Sequence, residues 1–169
     1  MMKPQDILVA LKLAAHPGVP WRYAHLAREL GLSVSETHAS VQRNESAGIL
    51  VPDTPGIVVR RTLVNFLVHG LRCVFPAEFT RVTRGVPTAL SAPVLGDLEL
   101  LAPEPALVWP AAQGTTRGQG LHPLYRTAPS AALVDPALYR LLALAELLRV
   151  GAARERAAAE RALHAEVAP

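Results

Sequence analysis

The stretch Leu26-Ala27-Arg28-Glu29-Leu30-Gly31-Leu32-Ser33-Val34-Ser35-Glu36 decides how this chain is read. Tyr23, Leu26, Ala27 and Leu30 fall on one side of a short helix spanning Trp21 to Leu30, and Gly31 stops it. Ser33 and Glu36 then make an S-x-x-E capping box, in which the serine oxygen accepts a first-turn N–H and the glutamate reaches back to the cap's own N–H. A further helix follows from Val34 to about Ser46, with Gly48 as its left-handed stop and Ile49 and Leu50 folding back behind it. Upstream, Pro4 suits a helix start, Ile7, Leu8, Leu11 and Ala14 or Ala15 recur at helical spacing, and Pro17, Gly18 and Pro20 end that helix. Downstream, Val51 to Arg60 reads as a short strand, a turn over Pro52 to Gly56, and a second strand through Ile57, Val58 and Val59.

Three helices with Ala27, Gly31 and Ser33 at these offsets, closed by Ala47-Gly48-Ile49-Leu50, resemble the helix-turn-helix of bacterial winged-helix regulators of the MarR-like kind. The resemblance covers about residues 4–60. A small residue at Ala27 lets the second helix approach the third, Gly31 permits the tight turn, and a capped third helix can be presented rigidly to a groove. The resemblance implies a regulator of transcription, a homodimeric repressor, that binds double-stranded DNA sequence-specifically and reads the major groove with its third helix.

At about 100° per residue, the third helix sends Ser35, His38, Ala39 and Gln42 one way, with Arg43 at the flank, and Thr37, Ser40, Val41 and Asn44 the other. In the outward set, glutamine can pair with adenine, arginine can take guanine or phosphate, and the alanine methyl can meet a thymine methyl. The inward set departs from the family, whose members usually carry aliphatic residues at the places of Thr37 and Asn44. An inward asparagine must be hydrogen-bonded or solvated. Arg22 and Arg28 lie on the helix that crosses the DNA backbone in this docking mode, and Arg60, beside Arg61, sits just past the wing. Arg81 and Arg84 are further candidates for phosphate contact.

Charge is distributed to match. The formal net charge is +3, but residues 1–91 carry ten Lys and Arg against six Asp and Glu, while 92–169 carry seven against eight. The basic excess therefore lies in the half with the helix-turn-helix. The expected class is mainly α: a winged helix-turn-helix domain with a linking helix over residues 1–73, a proline-rich irregular segment over 74–134, and a C-terminal helical dimerisation or packing region over 135–169. The linking helix is read over Arg61 to Cys73. In the middle segment, Asp97 to Leu101 and Ala106 to Trp109 read as short strands and Gln113 to Gly120 as a flexible glycine loop. Asp135-Pro136 opens the last zone as N-cap and first helical residue. Leu138, Leu141, Leu142, Ala145 and Leu148 form an apolar stripe there, the expected subunit contact.

Other chemistry is poorly represented. The six histidines form no pair at metal-ligand spacing on one helix face, and neither G-x-S-x-G nor a phosphate-binding loop is present, so no catalytic residue, metal or cofactor is expected. Cys73, the sole cysteine, precludes an internal disulfide and reads as a buried structural thiol. No apolar run reaches the roughly 18–20 residues that span a bilayer, and the N-terminus lacks signal-peptide character, so a cytoplasmic location without membrane association is expected. The alternative is a protein-interaction module, such as an antitoxin-like partner of a separately encoded effector, possible autorepression of its own operon included. In that reading the proline-rich middle, with Trp109 and Tyr125, does the binding. A small-molecule-sensing regulator is a third reading.

Overall fold

A computed structural model describes residues 1–54 and 56–167. Pro55, in the turn expected at 52–56, and the last two residues of the C-terminal region lie outside them. The protein is mostly helical with a small three-stranded sheet.

Pro4 occupies the first turn of α1 (Pro4–Ala15), where Asp6 accepts a hydrogen bond from the Lys3 N–H at 2.7 Å. Ile7, Leu8, Val9, Ala10 and Leu11 are all fully buried, so α1 is enclosed on every side rather than amphipathic. The helices α2 (Tyr23–Leu30) and α3 (Val34–Ser46) follow with the anticipated punctuation. Gly31 ends α2 at φ 65°, a left-handed conformation that glycine adopts without a Cβ penalty. The Ser33 and Glu36 hydrogen bonds of the capping box measure 3.1 and 3.0 Å.

The expected wing is reduced. Leu50 and Val58 form one isolated antiparallel bridge, extended by Val51 N–H donating to Ile57 O (2.9 Å) and Val59 N–H to Ile49 O (2.7 Å). Two strands do not develop because α4 (Arg60–His69) begins two residues after the bridge. The linking helix is also split, since Gly70 separates α4 from the single turn α5 (Leu71–Val74). Cys73 is exposed on that turn rather than buried, because α5 inserts only Leu71 into the core.

The middle segment holds more order than its prolines suggest. β1 (Phe79–Pro87) pairs antiparallel with β2 (Leu107–Pro110) and with β3 (Thr116–Leu121), and β2 pairs parallel with β3, closing a ring of three strands. The glycine stretch expected as a loop is thus largely β3. A Cβ on Gly118 would stand 2.1 Å from Ala106 O, so glycine there serves close strand approach rather than flexibility. Asp97 to Leu101, expected as a strand, instead carries the end of a 3-10 turn over Pro93–Leu98, with Glu99 left-handed at φ 53°.

After α6 (Ala128–Val134), Asp135 caps α7 (Pro136–Val150) by accepting from Leu138 N–H at 3.0 Å. The apolar stripe offered as a subunit contact is spent inside the chain. Leu138, Leu141, Leu142, Ala145 and Leu148 are at most 3% exposed, and α1, α4, α5, α6 and α8 (Ala153–Val167) all pack on α7. Glu146 and Arg149, also buried on α7, form an ion pair of 2.6 Å. Glu146 accepts from Trp109 Nε1 and Leu124 N–H, while Arg149 donates to Phe75 O and Pro76 O, which ties the strand ring to the helices. The three zones share one core running from Ile7 to Val167.

Candidate nucleic-acid interface

The faces of α3 separate as the wheel requires. Thr37, Ser40, Val41 and Asn44 are buried, Ser35, His38 and Gln42 are exposed, and Ala39 is half-buried. What holds the inward polar face is Asp6 on α1. Its fully buried carboxylate accepts from Ser40 Oγ (2.7 Å), Arg43 Nε (2.8 Å) and Arg43 Nη2 (2.7 Å), besides the Lys3 N–H. Asn44 Nδ2 donates to Asp6 O at 2.9 Å and to Ser40 O at 3.0 Å. A helix that lacks the usual aliphatic contacts is therefore seated by charge-assisted hydrogen bonds.

The same bonds reassign Arg43. Its guanidinium lies flat against Asp6, and the carboxylate's hydrogen bonds hold its pKa above the ordinary arginine value despite partial burial. It is a fastener of α3 rather than a group free to reach a base. The other outward residues have lighter ties. The His38 ring packs 4.9 Å from Tyr23, which meets Trp21 edge-on at 5.1 Å, and Ser46 Oγ caps the Gln42 carbonyl, leaving the Gln42 amide in solvent. Trp21 also closes against the ribbon: a Cβ on Gly56 would fall 1.9 Å from Trp21 Nε1.

Arg28 is exposed on α2 and Arg22, exposed, is its N-cap; both line a surface cleft with Pro20, Trp21 and His25. Arg60 is not gathered with them. It starts α4 and borders a separate cleft with Leu13, Ala14, Pro17 and Gly18. Arg81 and Arg84 lie on β1.

One basic residue near α3 has no local sequence signal. Arg126 is exposed in the connection before α6, close enough to Glu36 for its charge to act on that carboxylate, and the neighbouring Tyr125 hydroxyl lies 3.5 Å from Glu36 Oε1. Arg126 and Arg28 line a groove of about 550 Å³ with Gly31, Thr127, Ser130 and Val134, and Thr127 Oγ1 is buried without a hydrogen-bond partner among the described residues. Chain separation of ninety-odd residues hides this pairing from any periodicity. The hydrogen bonds with Ser33, chiefly the one from its backbone, hold the Glu36 carboxyl below its ordinary pKa, so an anionic residue faces this rim. Residue by residue, the surface around α3 offers hydroxyl, imidazole and amide groups flanked by the exposed guanidiniums of Arg22, Arg28 and Arg126, which suits a polyanion with hydrogen-bonding edges.

Among the described residues no helix is long and apolar enough to cross a membrane, and no three His, Cys, Asp or Glu side chains are grouped to hold a metal ion. Comparison with protein-family models, with curated proteins and with solved structures finds no match to this chain.

Proposed function

We propose that α1, α2, α3 and the ribbon after them form a winged helix-turn-helix, and that the protein is a cytoplasmic, sequence-specific DNA-binding regulator of transcription. The observation that carries this reading is α3 itself: Ser35, His38 and Gln42 stand in solvent on one face while Asp6 anchors the opposite face. A reading helix needs such a rigid seat, because base discrimination depends on side chains held at fixed positions along the groove. Arg22, Arg28 and Arg126 supply the surrounding phosphate contacts, which give affinity and salt dependence but no sequence preference. A two-fold repressor spanning half-sites roughly 34–36 Å apart remains part of the proposal, with its subunit contact on a surface other than α7.

The test is a mobility-shift titration of the full chain on the DNA upstream of its own gene, against random duplex, at several salt concentrations. His38→Ala with Gln42→Ala removes about 1–3 kcal/mol of discrimination while changing stability by no more than about 0.5 kcal/mol, since both side chains are exposed. Arg126→Ala weakens binding to both duplexes alike and lowers the salt slope by about one. Absence of any salt-dependent DNA binding by the unaltered protein overturns the reading.

A further inference from the structure

We infer that the open edge of β1 is a docking strand for an extended, acidic segment of a partner polypeptide. This inference is independent of the DNA-binding reading. β3 flanks β1 from Phe79 to Gly85, but β2 flanks it only from Gly85 to Pro87. Among the described residues, no strand pairs with Phe79–Arg84 on the side away from β3. An edge of this kind presents main-chain N–H and C=O groups to which another chain can add as a strand. The one register irregularity falls between Phe79 and Val82 and leaves Val82 to Gly85 in regular pairing.

Side chains along this edge state what would fit. Arg84 stands directly opposite Arg117 on β3, and Val82 opposite Gln119, so these two pairs share one face. Like charges directly opposed across strands repel. Neither arginine, nor the exposed Arg81, has a carboxylate within ion-pair distance among the described residues. Phe79 and Val82 are 58% and 46% exposed on the same strand. A carboxylate placed beside Arg84 and Arg117 relieves the repulsion, and an aliphatic residue two positions along covers Val82. An added strand carrying acidic and aliphatic side chains in alternate outward positions supplies both. A nucleic-acid backbone supplies the charge but nothing to cover the valine and phenylalanine.

Random eight-residue peptides selected on the immobilised full chain test this. The selected sequences should carry Asp or Glu two residues from an aliphatic side chain. Combining Arg84→Glu with Arg117→Glu should weaken them by about tenfold or more and shift selection toward lysine-containing peptides. N-methylation of alternate amides in the best peptide should abolish binding, because strand addition uses backbone hydrogen bonds. Far-UV circular dichroism checks that the double variant folds, and Arg84→Ala serves as the milder substitution if it does not. Selection without acidic preference, peptides that bind the double variant equally well, or binding insensitive to N-methylation each overturns the inference. Loss of duplex DNA affinity in the double variant with unchanged peptide binding does the same, and assigns the face to nucleic acid.

Discussion

Asp6 shows how a single buried charge can define an interface. Lys3 N–H, Ser40 Oγ and two Arg43 nitrogens converge on its carboxylate, each within 2.8 Å, and Asp6 itself has no solvent exposure. Arg43→Ala leaves the fully buried Asp6 carboxylate without its counter-charge and should cost about 3–5 kcal/mol in urea denaturation. Joining Asp6→Asn to Arg43→Ala should recover much of that loss, since the stranded carboxylate charge is gone. A loss under about 1 kcal/mol for the single variant would show that the cluster contributes no more than a surface ion pair. Any effect of Arg43→Ala on DNA binding must therefore be read at temperatures where α3 remains seated.

At the scale of elements, the start of α7 joins the first helices to the last ones. Asp135 caps α7 and accepts from Lys12 Nζ at 2.6 Å and from His16 Nε2 at 2.7 Å, while Lys12 also reaches Glu29 at 3.2 Å on α2. Burial pushes the Asp135 carboxyl up, but the hydrogen bonds from Lys12, the Leu138 N–H and His16 outweigh it and hold the pKa below the ordinary value. For Lys12, burial lowers the pKa, and its bonds to Asp135 and Glu29 more than reverse this. A depressed carboxylate contributes stability that is present above its unfolded pKa of about 4 and is lost as pH falls through the folded value; a raised lysine loses its share as pH rises through its own folded value, above about 10.4. Asp135→Asn keeps a capping side chain and removes the charge. It should cost about 1.5–3 kcal/mol at neutral pH, and its difference from the unaltered protein should shrink below about pH 4 when denaturation midpoints are followed with pH. Midway along α7, Leu144 has no exposure, and Leu144→Ala should cost about 2–5 kcal/mol, read from the same midpoints.

Over the whole molecule, α1 and α7 are the two enclosed helices, and they pack on each other. In the segment resembling a separate reading domain, Ile7, Leu8 and Leu11 share one core with the C-terminal helices, and α7 packs directly on α1. Residues 1–73 alone should therefore remain unfolded by circular dichroism, and the full chain should melt in one transition seen equally by tryptophan fluorescence and by helix signal. A folded 1–73 fragment would show that α7 is dispensable to the first three helices.

Elements with local punctuation were legible without coordinates: α2 and α3 through Gly31 and the Ser33–Glu36 box, α7 through Asp135-Pro136, and the inward and outward faces of α3 through helical periodicity. Capping and periodicity are near-neighbour physics, written within a turn or two of chain. The strand ring, Arg126 beside Glu36, and the engagement of Arg43 by Asp6 depend on partners 12 to 90 residues away, which no local pattern encodes. Glycines at 114, 118 and 120 read alike as loop or as close-packed strand until the opposing backbone is in place. The apolar stripe of α7 likewise announces burial but not its agent, because hydrophobic burial is non-directional and a second subunit or the chain's own helices satisfy it equally. Sequence by itself determined where α1, α2, α3 and α7 form and which faces seek cover; only tertiary structure decided that α1 and α7 cover each other, that Asp6 claims Arg43, and that β1 keeps an open edge.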